Sequence, residues 1–95
     1  MFDKMKELME MKKQADQLKR ELSAATVEVS DIQGIKVVVS GTQEFQSLTI
    51  EGSLIDPAKK EHLENDLLRS LNAAIKKSQN LAAQKMKNML PGFPG

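Results

Sequence analysis

The spacing of apolar positions changes period twice along the chain. Over residues 3–24, Leu8, Met11, Ala15, Leu18 and Leu22 recur at spacings of 3, 4, 3 and 4. This is the seam of an amphipathic helix with heptad character, and with no Gly or Pro to interrupt it the pattern predicts a helix over 1–24. The period then shortens to two. In ATVEVSD, Val27 and Val29 alternate with Thr26, Glu28 and Ser30; in GIKVVVSG, Ile35, Val37 and Val39 share a face; in EFQSLTIEG, Leu48 and Ile50 alternate with Ser47, Thr49 and Glu51. Three short, β-branched strands are expected over 25–52, each with one buried and one wet face. Gly34 and Ser40-Gly41 supply turn residues between them, which favours consecutive antiparallel pairing.

From Asp56-Pro57 the period lengthens again. Asp at an N-cap accepts a backbone N–H bond, and Pro at the first helical position loses nothing by lacking a donor. No breaker follows until Pro91, which gives a helix over 56–90, roughly 50 Å long at about 1.5 Å per residue. Its apolar stripe is Leu63, Leu67, Leu71, Ala74, Ile75, Leu81, Ala82, Met86 and Met89. The closing PGFPG, 91–95, is expected to be a flexible tail.

The expected fold is therefore α+β: one domain over 1–95 in the order helix, three-stranded antiparallel sheet, long C-terminal helix. Strands of this length span about 20 Å. They cannot cover the whole stripe of the second helix, and a small sheet leaves two open edges. A second copy of the chain would answer both problems, so a homodimer with two-fold symmetry is expected.

Composition narrows the function classes. The chain has 95 residues, 40% hydrophobic and 28% charged, with no Cys and one His. Disulfide frameworks and thiolate metal sites are excluded, and a histidine-based metal cluster or a Ser/His triad is not expected. No convergent acid/base pair, metal-ligand cluster or Gly-rich phosphate loop is legible, so neither an enzyme nor a cofactor nor a small-molecule substrate is expected. No apolar run approaches the length of a membrane span. MFDKMKELMEMKK lacks the apolar core of a signal peptide, and the expected compartment is the cytoplasm.

Net charge is +1, which alone predicts no anionic partner. Its distribution is more telling. Residues 25–55 hold one base and four acids, whereas residues 67–95 hold five bases and no acid. On a helical wheel Arg69, Lys76 and Lys87 fall within about 20° of one another, opposite the apolar stripe. Asn65, Asn72 and Asn80 flank them, Lys77 lies at the margin, and Lys85 falls near the stripe, where it would have to snorkel. Lysine and arginine can meet phosphates by charge, and the amides by hydrogen bonds. A helix C-terminus favours bases through its dipole, which accounts for Lys85 and Lys87 but not for Arg69 and Lys76, several turns earlier. In the first helix Lys6, Lys13 and Arg20 recur every seven positions as one basic line, with Lys12 and Lys19 between it and the seam and Asp3, Glu7, Glu10 and Glu21 on the other side. The absence of aromatics from these faces disfavours stacking on single strands.

MKELMEMKKQADQLKREL, VVVSG and, above all, LIDPAKKEHLENDLLRSLNAAIKKSQNLAAQKM with the closing LPGF cover nearly the whole chain. In these segments it resembles the YbaB/EbfC family of nucleoid-associated DNA-binding proteins. One departure is DIQG, where the family has a Gly-rich stretch before the second strand. The resemblance implies an α/β/α homodimer whose helices project like tweezers. It also implies double-stranded DNA as partner, with broad or modest sequence preference, and a place in the nucleoid and in chromosome organisation. Carried over by position, the DNA contacts fall on Lys6, Lys13 and Arg20 and on Arg69, Lys76, Lys77 and Lys87. The alternative is a helical protein–protein interaction or adaptor module without nucleic-acid binding of its own.

Overall fold

The computed structural model describes residues 2–89. Helix α1, Phe2–Ala24, is followed by strands β1, Thr26–Val29, β2, Ile35–Ser40, and β3, Phe45–Ile50, and by helix α2, Lys60–Met89. The expected order of elements is thus present, with the ends of the strands drawn in by a residue or two. The PGFPG tail lies outside the described residues. The strands form one antiparallel sheet in the order β1-β2-β3.

The start of the second helix is two-staged. Two short 3₁₀ turns, Gly52–Leu54 and Pro57–Lys59, precede the α-helix. The Asp56 carboxylate accepts the Ala58 N–H at 3.0 Å with Pro57 next to it, so the predicted cap is present, but it caps a 3₁₀ turn and α-geometry begins at Lys60.

Register decides which side chains meet. Val27 faces Val39, Val29 faces Val37, Ile35 faces Ile50, Val37 faces Leu48 and Val39 faces Phe45. Between the last two pairs β3 carries a bulge: Ser47 pairs with Val38 and Phe45 with Val39, leaving Gln46 as the extra residue. A bulge shifts alternation by one position, so Phe45 joins Leu48 and Ile50 on the inner face. Strict alternation would have put it on the outer one.

Helix α2 packs over β1 and β2. Val29, Ile35, Val37, Val39 and Ala74 are buried, with Val27, Ile32, Leu54, Leu63, Leu67, Leu71 and Ala73 packed around them. Ser70, Ala74 and Ser78 form a buried line of small residues at four-residue spacing, which lets the helix backbone approach the sheet closely. The Ser78 hydroxyl donates to the Ser40 carbonyl at 2.6 Å, pinning α2 to the end of β2. Beyond Ser78 the helix runs on for eleven more residues, about 16 Å past the sheet.

Two glycines have physical reasons. Gly34 adopts φ +92, a left-handed conformation suited to glycine, in the turn that follows Ile32. Gly41 provides room: a Cβ there would lie 2.9 Å from the Leu22 carbonyl oxygen, and its N–H donates to that oxygen at 2.9 Å. This contact docks the C-terminal end of α1 at the edge of the sheet where α2 leaves it. The left-handed residue of the second turn is Gln43, φ 64, not glycine as the sequence suggested.

The sequence-based expectation of one buried face per strand fails at β3. Phe45 is 48% and Leu48 49% exposed, although both point to the inner face. The reason is coverage: α2 is one helix wide and lies over the other two strands. The α1 seam is likewise open, since only Leu18 and Leu22 are half-buried while Leu8, Met11 and Ala15 are exposed. The chain accordingly measures 68 × 23 × 16 Å.

Candidate nucleic-acid interface

The sheet contact fixes how α2 is turned. With Ser70, Ala74 and Ser78 against the strands, positions about 140–160° away on the wheel must face solvent. Those positions hold Arg69, Lys76 and Lys87, all exposed, with the exposed amides Asn65, Asn72, Gln79, Asn80 and Gln84 beside them. The structure therefore gathers three of the four expected α2 bases into a row along the outer face. Lys77 departs from it. It sits on the flank over β1, where its Nζ donates a long 3.4 Å bond to the Glu28 carbonyl. Lys85 is half-buried, as its place near the apolar stripe led us to expect.

Among the described residues, ion pairs join Lys36 to Glu28 at 3.3 Å and His62 to Asp66 at 3.2 Å. None of Lys6, Lys13, Arg20, Arg69, Lys76, Lys77 or Lys87 is held in one. Arg69 lines a shallow groove with Asp31, Ile32, Ser70, Asn72 and Ala73. Asp31 at this mouth limits the field locally, whereas from Lys76 to the end of α2 there is no acid at all.

The α1 bases have different surroundings. Lys6, Lys13 and Arg20 are exposed along one line, but Lys13 and Arg20 share a surface groove with Asp16, Gln17 and Glu21. Carboxylates this close weaken the positive potential, so the outer face of α2 is the stronger anion-attracting surface of the two. Sequence reasoning passed over Ser70 and Ser78, whose burial orients the basic row. Their four-residue spacing around Ala74 was a legible signal of close helix–sheet packing.

Comparison with known proteins now bears on this surface. The family model for the YbaB/EbfC DNA-binding family matches residues 1–93. The chain belongs to the YbaB/EbfC DNA-binding family. This YbaB/EbfC chain is 32% identical over 92 residues to a nucleoid-associated protein of Ruminiclostridium cellulolyticum, covering 96% of this chain and 80% of the relative. It is 36% identical over 87 residues to a nucleoid-associated protein of Chloroflexus aurantiacus, covering 90% and 87%. The fold is also that of an uncharacterized Helicobacter pylori protein of known crystal structure: TM-score 0.78 at 24% identity, over 94% of this chain and 96% of that one. The YbaB/EbfC family is defined by DNA binding rather than by catalysis. No helix among the described residues is long and apolar enough to cross a membrane.

Proposed function

We propose that this protein binds double-stranded DNA as a homodimer, with broad or modest sequence preference, by neutralising phosphates from its helix faces, and that it works in the bacterial nucleoid within the cytoplasm. The observation that carries the reading is the outward row of Arg69, Lys76 and Lys87, free of ion pairs among the described residues and oriented away from the sheet. Its family membership and the nucleoid-associated relatives support the same polyanion. Lys77 on the neighbouring flank and Lys6, Lys13 and Arg20 on α1 add to the field rather than lead it.

The uncovered inner face of β3 supports the dimer. Lys77 places one flank of α2 over β1, so the opposite flank, with Leu68, Leu71, Ile75 and Met86, looks toward β3. That flank and the Phe45–Leu48–Ile50 surface lie on the same side of the sheet, and we take the apolar trough between them as the subunit contact. A second copy related by a two-fold axis can lay its own α2 flank there and receive the first in return, burying both surfaces. The basic row lies about 100° further round the helix from Leu68 and stays outside such a contact.

Titration of duplex DNA at several salt concentrations tests the mechanism. If about five phosphates are neutralised, log affinity falls with log salt at a slope near about −4.5. Replacing Arg69 and Lys76 together by Glu should abolish binding without altering assembly, whereas Lys36→Glu on the outer face of the sheet should change it little. A double variant that binds as tightly as the parent refutes the assignment of the face. The exposed seam of α1 favours one other reading, a helical interaction module without nucleic-acid binding; it predicts no retention on duplex-DNA resin at low salt.

A further inference from the structure

The N-terminal half of α1 carries a surface that the DNA-binding reading does not use. Leu8 and Met11 are 66% and 65% exposed, Met5 and Ala15 beside them are also exposed, and only the last part of the seam, at Leu18 and Leu22, packs on the chain's own body. The seam is heptad-spaced. With Leu8 and Ala15 as the first position and Met11 as the fourth, the residues flanking the seam sort by sign. One side holds Glu7, Gln14 and Glu21; the other holds Lys12 and Lys19. Charges at these flanking positions set the partner and direction of paired helices.

We propose that this arm pairs with the same arm of a second copy, in parallel. In a parallel pair, Glu7 of each copy lies opposite Lys12 of the other, and the neutral Gln14 opposite Lys19, so one Glu–Lys pair closes each side of the seam and no like charges meet. An antiparallel pair sets the Glu7–Gln14–Glu21 flanks against each other and the Lys12–Lys19 flanks against each other, which is repulsive. The C-terminal half of α2 is a poorer occupant, because its charges are all basic and would face Lys12 and Lys19. Parallel pairing also explains why Lys12 and Lys19 stand apart from the outer line of Lys6, Lys13 and Arg20: they flank the seam, and the outer line stays in solvent. A seam this short pairs weakly and reversibly, so the test traps it covalently.

The chain has no cysteine, so single cysteines report cleanly. Leu8→Cys, Ala15→Cys and, on the opposite side of the helix, Gln17→Cys are oxidised mildly in the full-length protein and resolved on non-reducing gels. All three positions are exposed, so none disturbs the core. In the parallel arrangement equivalent positions of the two copies meet, and Leu8→Cys and Ala15→Cys should each cross-link to themselves, well above Gln17→Cys. Glu7→Lys in the Leu8→Cys background should lower the yield about fivefold, and adding Lys12→Glu should restore it. Yields no higher than for Gln17→Cys overturn the proposal. So does cross-linking that succeeds only when Leu8→Cys is mixed with Ala15→Cys, which signals antiparallel arms. Either result leaves the trough contact and the DNA face to be judged on their own tests.

Discussion

Replacing Leu48 by Ala should weaken pairing of the chains far more than it weakens the fold. Leu48 sits in the middle of β3, opposite Val37, and is 49% exposed in the single chain. Fully burying a leucine side chain is worth about 1.5–3 kcal/mol. Half of that surface is already covered by its own subunit, so the partner's share is about 1 kcal/mol. In the proposed two-fold dimer the contact occurs twice, and pairing should lose about 2 kcal/mol, a roughly thirtyfold rise in Kd. Leu48→Asp should do more, because pairing would then bury two carboxylates without partners. Sedimentation equilibrium over a range of protein concentrations reads the shift directly. Thr49→Ala, which alters the outer face of the same strand, is the control. A Leu48→Asp chain that associates within about threefold of the parent, or a parent that stays monomeric at every concentration, refutes the trough as the subunit contact.

Two further perturbations test the packing that orients the basic row. Ser78→Ala removes the buried 2.6 Å bond to the Ser40 carbonyl, which keeps its bond from the Gln43 N–H; urea denaturation should show a loss of about 1 kcal/mol. Gly41→Ala places a methyl group 2.9 Å from the Leu22 carbonyl oxygen and should cost about 1–3 kcal/mol by the same measurement, because backbone must yield.

The elements were legible because each obeys one dominant rule. Val27, Val29, Ile35, Val37 and Val39 fall at every second position of their strands, with Val38 the one apolar residue on the outer face, and the Asp56-Pro57 pair marks a helix start by its own chemistry. The failures have equally local causes. The bulge at Gln46 turns Phe45 inward, and no residue type demands a bulge there, so alternation alone would assign Phe45 to the outer face. The exposure of Leu48 depends on the width of α2 relative to three strands, a tertiary fact that no window of β3 contains. Ser78 is polar, so a reading by hydropathy passes over it, yet it is fully buried on the packed face. For the candidate site, the row of Arg69, Lys76 and Lys87 followed from the 3.6-residue period, while the different lean of Lys77 follows from the position of the Glu28 carbonyl, 49 residues away in chain order.

Because α2 meets the sheet with one face, an apolar trough with another and solvent with a third, pairing and DNA binding should separate by mutation in one direction only. Arg69 and Lys76 lie outside the proposed trough contact, so their replacement by Glu should remove affinity for DNA while leaving the association constant unchanged. Leu48 contributes nothing to the basic row, yet its loss must still weaken DNA binding. A lone chain presents one row instead of two, so the salt slope should fall toward half its paired value. A Leu48→Asp chain that is monomeric but retains the full slope would mean that one subunit meets all the phosphates by itself, and the two-armed geometry would have to be abandoned even if both individual surfaces survived.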